Sequence, residues 1–260
     1  MLIRTRVGQL AAAACVAASL FAGSPAIAAP GISHGALHFV GAARAGLLQS
    51  TNWSGDVVIG KMYKRVTSTW VVPTVRVSKN DRYAATWVGI GGVTSGDLIQ
   101  AGTAEASVNG RARYFAWTEV LPQPQVPIDE FAVHPGDSMT VDVHNTGGKT
   151  WVITVKNNNT GETAVRHFHY TSGHGSAEWI HEAPIVVSAQ AQLTSTTKVR
   201  FDHGTVNGRT VIGSAGTLLM IQLIGQTDAT PSNLDSDSDG LTIADGLIQP
   251  PPPWSGGEPD

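Results

Sequence analysis

Three polar side chains stand on apolar stretches of the chain. Gln100 lies in the run LIQAG, Glu119 ends the run ARYFAWTE, and Glu182 ends the run AEWIHE. A polar group on a buried strand costs free energy unless it is hydrogen-bonded or used in chemistry. Gln100 is either an ordinary hydrogen-bonded glutamine or a catalytic amide. The two glutamates are either solvated residues of edge strands or buried acids and bases, and the residue types alone leave both alternatives open.

Two further clusters have part of the pattern of a metal site. His167 and His169 share one face of a strand, and more histidines follow, so an imidazole metal site is one hypothesis. Residues 235–240 read DSDSDG, the first half of an EF-hand loop, but the twelfth position is Gly246 instead of glutamate. We interpret the histidines as structural and the acidic run as a polar turn. The sequence therefore predicts no bound metal and no other cofactor.

The elements that must position these side chains are short β-strands. Runs rich in β-branched and aromatic residues recur roughly every 8–15 residues, without a helical period. The predicted strands are Trp53–Ile59, Val66–Val72, Tyr83–Ile90, Leu98–Ala101, Ala112–Val120, Ser138–His144, Trp151–Lys156, Ala164–Tyr170, Ala177–Glu182, Lys198–Asp202, Arg209–Ile212 and Leu218–Ile224. This pattern predicts an all-β domain, a sandwich or jelly roll, with a short helix around Ser188–Leu193 as the one helical alternative.

One stretch predicts a hairpin. A turn rich in glycine, around Gly91 and Gly92, separates the apolar runs Trp87–Ile90 and Leu98–Ala101. Because side chains alternate along a strand, Gln100 shares a face with Leu98. The same alternation in AEWIHE places its two glutamates on one face, with an isoleucine between them.

The first 28 residues have the pattern of a secretory signal. Arg4 and Arg6 precede an apolar run, and the motif Ala26-Ile27-Ala28 is a cleavage signal. We expect cleavage after Ala28 and export of the remaining chain, with no membrane anchor left. The expected organisation is a signal peptide (1–28), a flexible leader or short pro-segment (29–50), one β-sandwich domain (51–246) and a disordered tail rich in proline and glycine (247–260).

Composition excludes several classes of protein. The single cysteine, Cys15, lies in the signal, so the exported chain has no thiol for a cysteine enzyme, a thiolate metal site or a disulfide. Loss of two signal arginines moves the net charge from −3 to −5. A mildly acidic surface argues against nucleic acid and anionic membranes as partners.

Five segments in order resemble one family, the eqolisins or glutamic peptidases, in a bacterial-type form. They are Asn52-Trp53-Ser54-Gly55, Thr69-Trp70-Val71-Val72-Pro73, Trp87-Val88-Gly89-Ile90 with Leu98-Ile99-Gln100-Ala101-Gly102, Ala116-Trp117-Thr118-Glu119, and Ala177-Glu178-Trp179-Ile180-His181-Glu182. They occur in the family's order and with family-like spacing.

The resemblance implies a lectin-like (concanavalin A-like) β-sandwich of two curved antiparallel sheets. It also implies a secreted, acid-acting endopeptidase that cleaves polypeptides without a metal. In that family a glutamine and a glutamate form the catalytic pair, and they correspond to Gln100 and Glu182 here. The family's supporting residues correspond to Trp87, Trp117 and Glu119.

The chain departs from the family pattern at three positions near these residues. Gly91 and Phe115 stand where fungal members carry aspartate, and Leu121 stands where they carry tyrosine. The catalytic pair is intact. Subsite preference and the optimum pH are left open, because two carboxylates are missing from the surroundings of the site.

Other functions compete with the peptidase. A non-catalytic β-sandwich that binds carbohydrate or peptide would use the six tryptophans between Trp53 and Trp179 as stacking surfaces, and an inactive relative of the family is a variant of it. A glycoside hydrolase would use Glu119 and Glu182 as its carboxylate pair, but leaves Gln100 without a role. The peptidase is the favoured interpretation, and we expect a monomer.

Overall fold

The computed structural model describes residues 31–42, 48–210, 216–223 and 226–254. This part of the chain contains nineteen strands and no helix, hence no helix long and apolar enough to cross a membrane. The strands are β1 (Ile32–Ser33), β2 (Phe39–Ala42), β3 (Leu48–Ser50), β4 (Trp53–Ile59), β5 (Arg65–Val71), β6 (Arg82–Gly91), β7 (Leu98–Val108), β8 (Arg111–Val120), β9 (Val126–Ile128), β10 (Ser138–Gly147), β11 (Thr150–Asn157), β12 (Thr163–His169), β13 (Ser176–Glu182), β14 (Ile185–Val186), β15 (Ala189–Gln190), β16 (Val199–Val206), β17 (Gly216–Leu223), β18 (Gln226–Leu234) and β19 (Leu241–Asp245). The predicted signal peptide lies outside the described residues.

The strands build a β-sandwich, so the predicted fold class is confirmed. One long sheet runs in the order β12-β11-β10-β5-β16-β19-β18-β17-β4-β13-β6-β7-β8-β9, and β1, β14 and β15 form a small second sheet. Apart from the parallel pair β3 and β17, the neighbouring strands of both sheets are antiparallel. The half containing β10 and β5 packs over the half containing β6 and β7.

The core lies between these two halves. Its largest side chains include Trp70, Trp151, Trp179 and Phe201, all fully buried. The Trp179 indole donates to the Thr67 carbonyl across the sandwich, over 3.2 Å. Each strand of the β4-β13-β6-β7-β8 half buries one face in this core. Its other face, which we call the site face, is therefore available for function.

The predicted hairpin is confirmed as β6 and β7, although β7 continues well beyond the expected end. Gly91 pairs with Leu98, and Gly89 pairs with Gln100. Gly91 and Gly92 have φ angles of +100° and +88°, and a Cβ on Gly91 would come within 2.2 Å of the Asp97 carbonyl oxygen. Glycine is thus required for this turn, because other residues avoid both the backbone angle and the close approach.

Strand β13 joins two distant parts of the sequence. It pairs with β4 on one side and β6 on the other, with Glu182 opposite Trp53 and Ala85. This pairing places Glu182 on the site face of the sheet, three strands from Glu119 on β8.

The predicted short helix around Ser188–Leu193 is wrong. The structure has the strands β14 and β15 there, paired antiparallel to each other. Val187 and Ser188 form the turn between them with φ angles of 48° and 68°, which no right-handed helix contains. Pairing with a neighbouring segment outweighs the moderate helix propensity of the Ala and Gln residues here.

Two other predictions concern segments near the C-terminus, each of which lies only partly within the described residues. Strand β16 ends at Val206, and Arg209 folds back to hydrogen-bond with it, so the predicted strand does not begin there. Val211 and Ile212 lie outside the described residues. Of the tail, residues 247–254 are described, and the Gln249 side-chain amide donates to the Pro231 carbonyl over 3.2 Å.

Candidate active site

The site face brings together the polar residues that the sequence singled out. Glu119 on β8 lies directly opposite Gln100 on β7, and Gln100 lies opposite Gly89 on β6. A Cβ on Gly89 would be only 3.0 Å from the Cβ of Gln100, so the glycine leaves room for that side chain. Trp87 lies two residues before Gly89 on β6, and Trp117 lies two residues before Glu119 on β8. Both tryptophans are fully buried.

Gln100 donates two hydrogen bonds from its side-chain amide. Nε2 lies 2.8 Å from the Glu119 carboxylate and 3.2 Å from the backbone carbonyl oxygen of His34. The side chain is completely buried. The glutamine is therefore held in one orientation, with one hydrogen aimed at a peptide carbonyl.

Glu182 is a completely buried carboxylate. The indole of Trp87 donates to its Oε2 over 2.8 Å, and the Nδ1 atom of His34 lies 3.2 Å from the same oxygen. Burial raises the pKa of Glu182, although these two contacts act in the opposite direction. A carboxyl group with a raised pKa is suited to exchange protons in acid.

Glu119 accepts hydrogen bonds from three directions. The Ser33 hydroxyl lies 3.0 Å from Oε1, the His34 backbone N–H lies 3.1 Å from Oε2, and the Gln100 amide supplies the third. Burial raises the pKa of Glu119 to about 7, against the lowering effect of His34. This carboxyl group thus holds both the glutamine and a peptide N–H.

A peptide segment of the chain itself fills the site. Residues 31–38 run along the site face, and the His34 ring stacks on Trp117 with 3.9 Å between centroids. Its Nε2 lies 2.8 Å from the side-chain oxygen of Gln125. Burial lowers the pKa of His34, but the contacts with Glu182 outweigh it and the pKa is raised. The imidazole therefore lies buried between the Glu182 carboxylate and the Gln125 side-chain oxygen.

All five residues predicted from the resemblance lie together on the site face. Two further contributors, His34 and Gln125, were not predicted. His34 stands in a stretch rich in glycine and alanine, and Gln125 lies between prolines, where exposure is the usual expectation. For both residues the only sequence signal is a polar side chain next to a small apolar residue. This pattern is too common to indicate a functional site.

Among the described residues, the histidines of the candidate metal site do not form a cluster of ligands. His167 and His169 are exposed on the edge strand β12, whereas His181 is buried with its Nδ1 at 3.1 Å from the Thr86 hydroxyl. The tryptophans from Trp53 to Trp179 are fully buried, with residues 31–38 in place, and offer no exposed ring for a sugar.

The acidic turn is the place in the described residues where a cation could be held. Ligand oxygens of Asp235, Asp237 and Asp239 lie within 4.8 Å of one another, and Asp202 and His203 approach Asp239 similarly. Burial, with the neighbouring carboxylates, raises the pKa of Asp235 and Asp239 to about 6. The turn joins β18 and β19, while the candidate active site is formed from β6, β7, β8 and β13.

The fold and the site define a class of protein. A sandwich that holds an extended peptide against a carboxylate and a donating amide has the architecture of a protein that binds or cleaves peptides. The comparison with known families makes the assignment specific. The Peptidase A4 family matches residues 51–244, and the chain belongs to this family, the eqolisins. By this membership the protein is a peptide-bond hydrolase of the glutamic peptidase type.

Individual relatives agree with the family. The chain is 28% identical over 220 residues to aspergillopepsin-2 from Aspergillus niger, covering 74% of this chain and 73% of the relative. It is 28% identical over 120 residues to scytalidopepsin B from Scytalidium lignicola, covering 45% of this chain and 44% of the relative.

Solved structures show the same fold. Scytalido-glutamic peptidase, crystallised with a transition state analog inhibitor, superposes with a TM-score of 0.67 at 22% identity, over 75% of this chain and 98% of that one. Aspergilloglutamic peptidase from Aspergillus niger superposes with a TM-score of 0.55 at 27% identity, over 63% of this chain and 99% of that one.

Proposed function

We propose that the chain is a secreted endopeptidase that acts at acid pH, with Glu182 and Gln100 as its catalytic pair. One observation carries this proposal: the Gln100 amide donates to a peptide carbonyl, at His34, whose own side chain lies 3.2 Å from the Glu182 carboxylate. Export is supported by the signal pattern of residues 1–28.

The mechanism needs one base and one oxyanion donor. Glu182, when ionised, takes a proton from a water molecule that attacks the carbonyl carbon of the scissile bond. It then returns the proton to the leaving nitrogen. The amide of Gln100 donates to the oxygen on which negative charge develops, and loss of one such donor typically costs about 10²–10³ in rate. Trp87 keeps Glu182 oriented through its indole N–H.

We expect activity at acid pH because of the pKa values of the carboxyl groups in the site. Burial raises the pKa of both Glu119 and Glu182. Two adjacent carboxylates are unfavourable when both are ionised, so the site works when one of them keeps its proton. Glu119 keeps its proton below about pH 7, so the site meets this condition in acid.

The test is casein hydrolysis by the purified chain from pH 2 to 7, with EDTA present, after incubation at pH 4. The proposal predicts hydrolysis that is greatest in acid and unaffected by EDTA, because the base and the oxyanion donor are side chains. Activity that EDTA abolishes, or activity confined to neutral pH, would contradict it.

A further inference from the structure

A cavity of about 790 Å³ lies on the outer face of the half that contains β5, β16 and β19. In these strands the core residues Trp70 and Phe201 alternate with Thr69 and Arg200, which therefore point outward to the cavity. The core separates the cavity from the site face. Cavities of roughly 300–1,000 Å³ are typical of sites for small organic ligands. The size of this cavity therefore suits such a ligand.

The C-terminal segment supplies one wall of the cavity. Residues 251–253 are consecutive prolines that line it. The Gln249 side-chain amide donates to the Pro231 carbonyl, and a Cβ on Gly240 would lie 3.1 Å from the Cγ atom of Pro253. The segment is thus packed against the turn between β18 and β19. Because the ring of proline fixes its φ angle, this wall is rigid before any ligand binds.

Two cationic side chains of β16 line the cavity. Lys198 and Arg200 are two residues apart and so share a face of the strand, and neither forms an ion pair among the described residues. Asp202, a carboxylate of the lining, accepts a hydrogen bond from the His203 backbone N–H over 2.7 Å. The unpaired cations favour an anionic ligand, and the guanidinium of arginine matches a carboxylate with two parallel hydrogen bonds.

The side chain of Thr242 adds a buried hydroxyl group to the lining. Thr242 lies directly opposite Arg200 on the neighbouring strand β19, and only 1% of it is exposed. Its Oγ1 atom has no hydrogen-bond partner among the described residues. A buried polar atom without a partner costs free energy. This hydroxyl therefore indicates a ligand with a polar group that completes the hydrogen bond.

The indole of Trp254 gives the cavity an aromatic surface. Trp254 is 91% exposed and lines the cavity, whereas the other six tryptophans of the chain are fully buried. A flat aromatic ring packs against the C–H face of a sugar ring, while its polar edge stays in water. An aromatic ring beside hydroxyl groups and cations is thus suited to a sugar that carries a carboxylate.

An extended peptide fits this cavity less well. Peptides commonly bind by adding a strand to a free sheet edge. At the cavity β5 is paired with β10 and β16, and β16 is paired with β5 and β19, so neither strand has a free edge there. Recognition in the cavity depends on side chains, which favours the sugar.

We propose that this cavity binds an acidic sugar. Its carboxylate lies at Lys198 and Arg200, a hydroxyl group contacts Thr242, and one face of the ring packs on Trp254. The inference does not depend on the peptidase activity, because the cavity includes neither Gln100 nor Glu182. A protein bound to an acidic polysaccharide in this way keeps its site face free.

The experiment is isothermal titration calorimetry at pH 6 with the chain from Ala29 to Asp260. Four probes are compared: digalacturonate, the neutral disaccharide galactobiose, acetate and triglutamate. One digalacturonate should bind per chain, at least about tenfold more tightly than each of the other three, because only it offers both a carboxylate and a sugar ring. Digalacturonate should also change the fluorescence of Trp254, the exposed tryptophan.

Two arginine variants give a matched comparison. Arg200→Gln should weaken the binding of digalacturonate at least about tenfold, because it removes hydrogen bonds to a charged group. Arg209→Gln should leave the affinity unchanged, because Arg209 is exposed and lies outside the cavity. Thr242→Val keeps the shape of the side chain and should weaken binding about twofold to tenfold without lowering the unfolding midpoint, because the lost hydroxyl has no partner in the free protein.

Several results would overturn the proposal. Equal affinity for digalacturonate and galactobiose would show that the cations are not used. Equal affinity for acetate would show a simple anion site, and tighter binding of triglutamate would show a peptide site. Absence of digalacturonate binding, or full affinity in Arg200→Gln, would also contradict it.

Discussion

Gln100 is the residue at which the hydrogen bonds of the site converge. Its amide donates both to Glu119 and to the His34 carbonyl. In the proposed mechanism, Gln100→Ala removes the donor to the oxyanion, so we expect kcat to fall by about 10²–10³ with a smaller change in KM. The measurement is steady-state hydrolysis of a peptide substrate at pH 4. Gln123→Ala, at an exposed glutamine of the following loop, is the control and should be unchanged. A full kcat in Gln100→Ala would contradict the oxyanion role.

In the proposed mechanism, Glu119 sets the alkaline limit of activity. Its pKa is raised to about 7, so the group is neutral in acid and becomes an anion as the pH rises through that value. A second negative charge beside Glu182 then opposes the developing oxyanion, and activity falls. Glu119→Gln is neutral at every pH, and we expect its profile of log kcat/KM to extend above pH 7. An unchanged alkaline limb would show that another group sets it.

At the scale of elements, the hairpin β6–β7 must hold Gln100 in register. Gly102 lies two residues further along β7, and a Cβ there would come within 2.1 Å of the Thr86 carbonyl oxygen. Gly102→Ala forces the two strands apart, so we expect it to cost at least about 1–3 kcal/mol of unfolding free energy and to lower activity. Gly96→Ala in the same hairpin's turn is the control, because a Cβ there meets nothing within 4 Å. Urea denaturation measures both, and equal stabilities would contradict the packing argument.

The elements also show what the sequence can and cannot predict. Alternation in LIQAG and AEWIHE predicted that Gln100 shares a face with Leu98 and that Glu182 shares a face with Ile180, because side-chain direction along a strand is local. Leu98 and Ile180 lie in one cluster on the site face. Gln100 and Glu182 come together because β13 inserts between β4 and β6, which no local pattern indicates. Only the resemblance to the family put the two residues in one site. The segment of His34 was missed for the same reason. Its two-residue strand exists only because β14, about 150 residues later, offers an edge.

The whole molecule buries several carboxyl groups, and this affects its stability. Glu105 lies in the core, where hydroxyls of Thr103 and Thr86 donate to it, and burial raises its pKa to about 8. The folded state therefore keeps a proton that the unfolded state has lost above about pH 5. The stability contributed by this proton is complete in acid and is lost as the pH rises through 8.

This predicts a fall in stability between pH 6.5 and 8. In that range each proton held only by the folded state changes the unfolding free energy by about 1.4 kcal/mol per pH unit. His181, with its pKa lowered to about 4 by burial, acts in the opposite direction only below pH 6.5. Glu105→Gln should reduce the slope by about one proton in urea denaturation at the two pH values. A slope equal to that of the wild type would contradict the pKa of Glu105.

The measurement that tests the central claim most directly is the rate of peptide hydrolysis at pH 4 by Glu182→Gln. The substitution keeps the shape of the side chain and removes its ability to accept a proton. Glu162→Gln, at an exposed glutamate in the turn between β11 and β12, is the matched control. We expect the control to hydrolyse the peptide at the wild-type rate and folded Glu182→Gln to have no measurable activity. Hydrolysis by folded Glu182→Gln at a rate near that of the control would contradict the account.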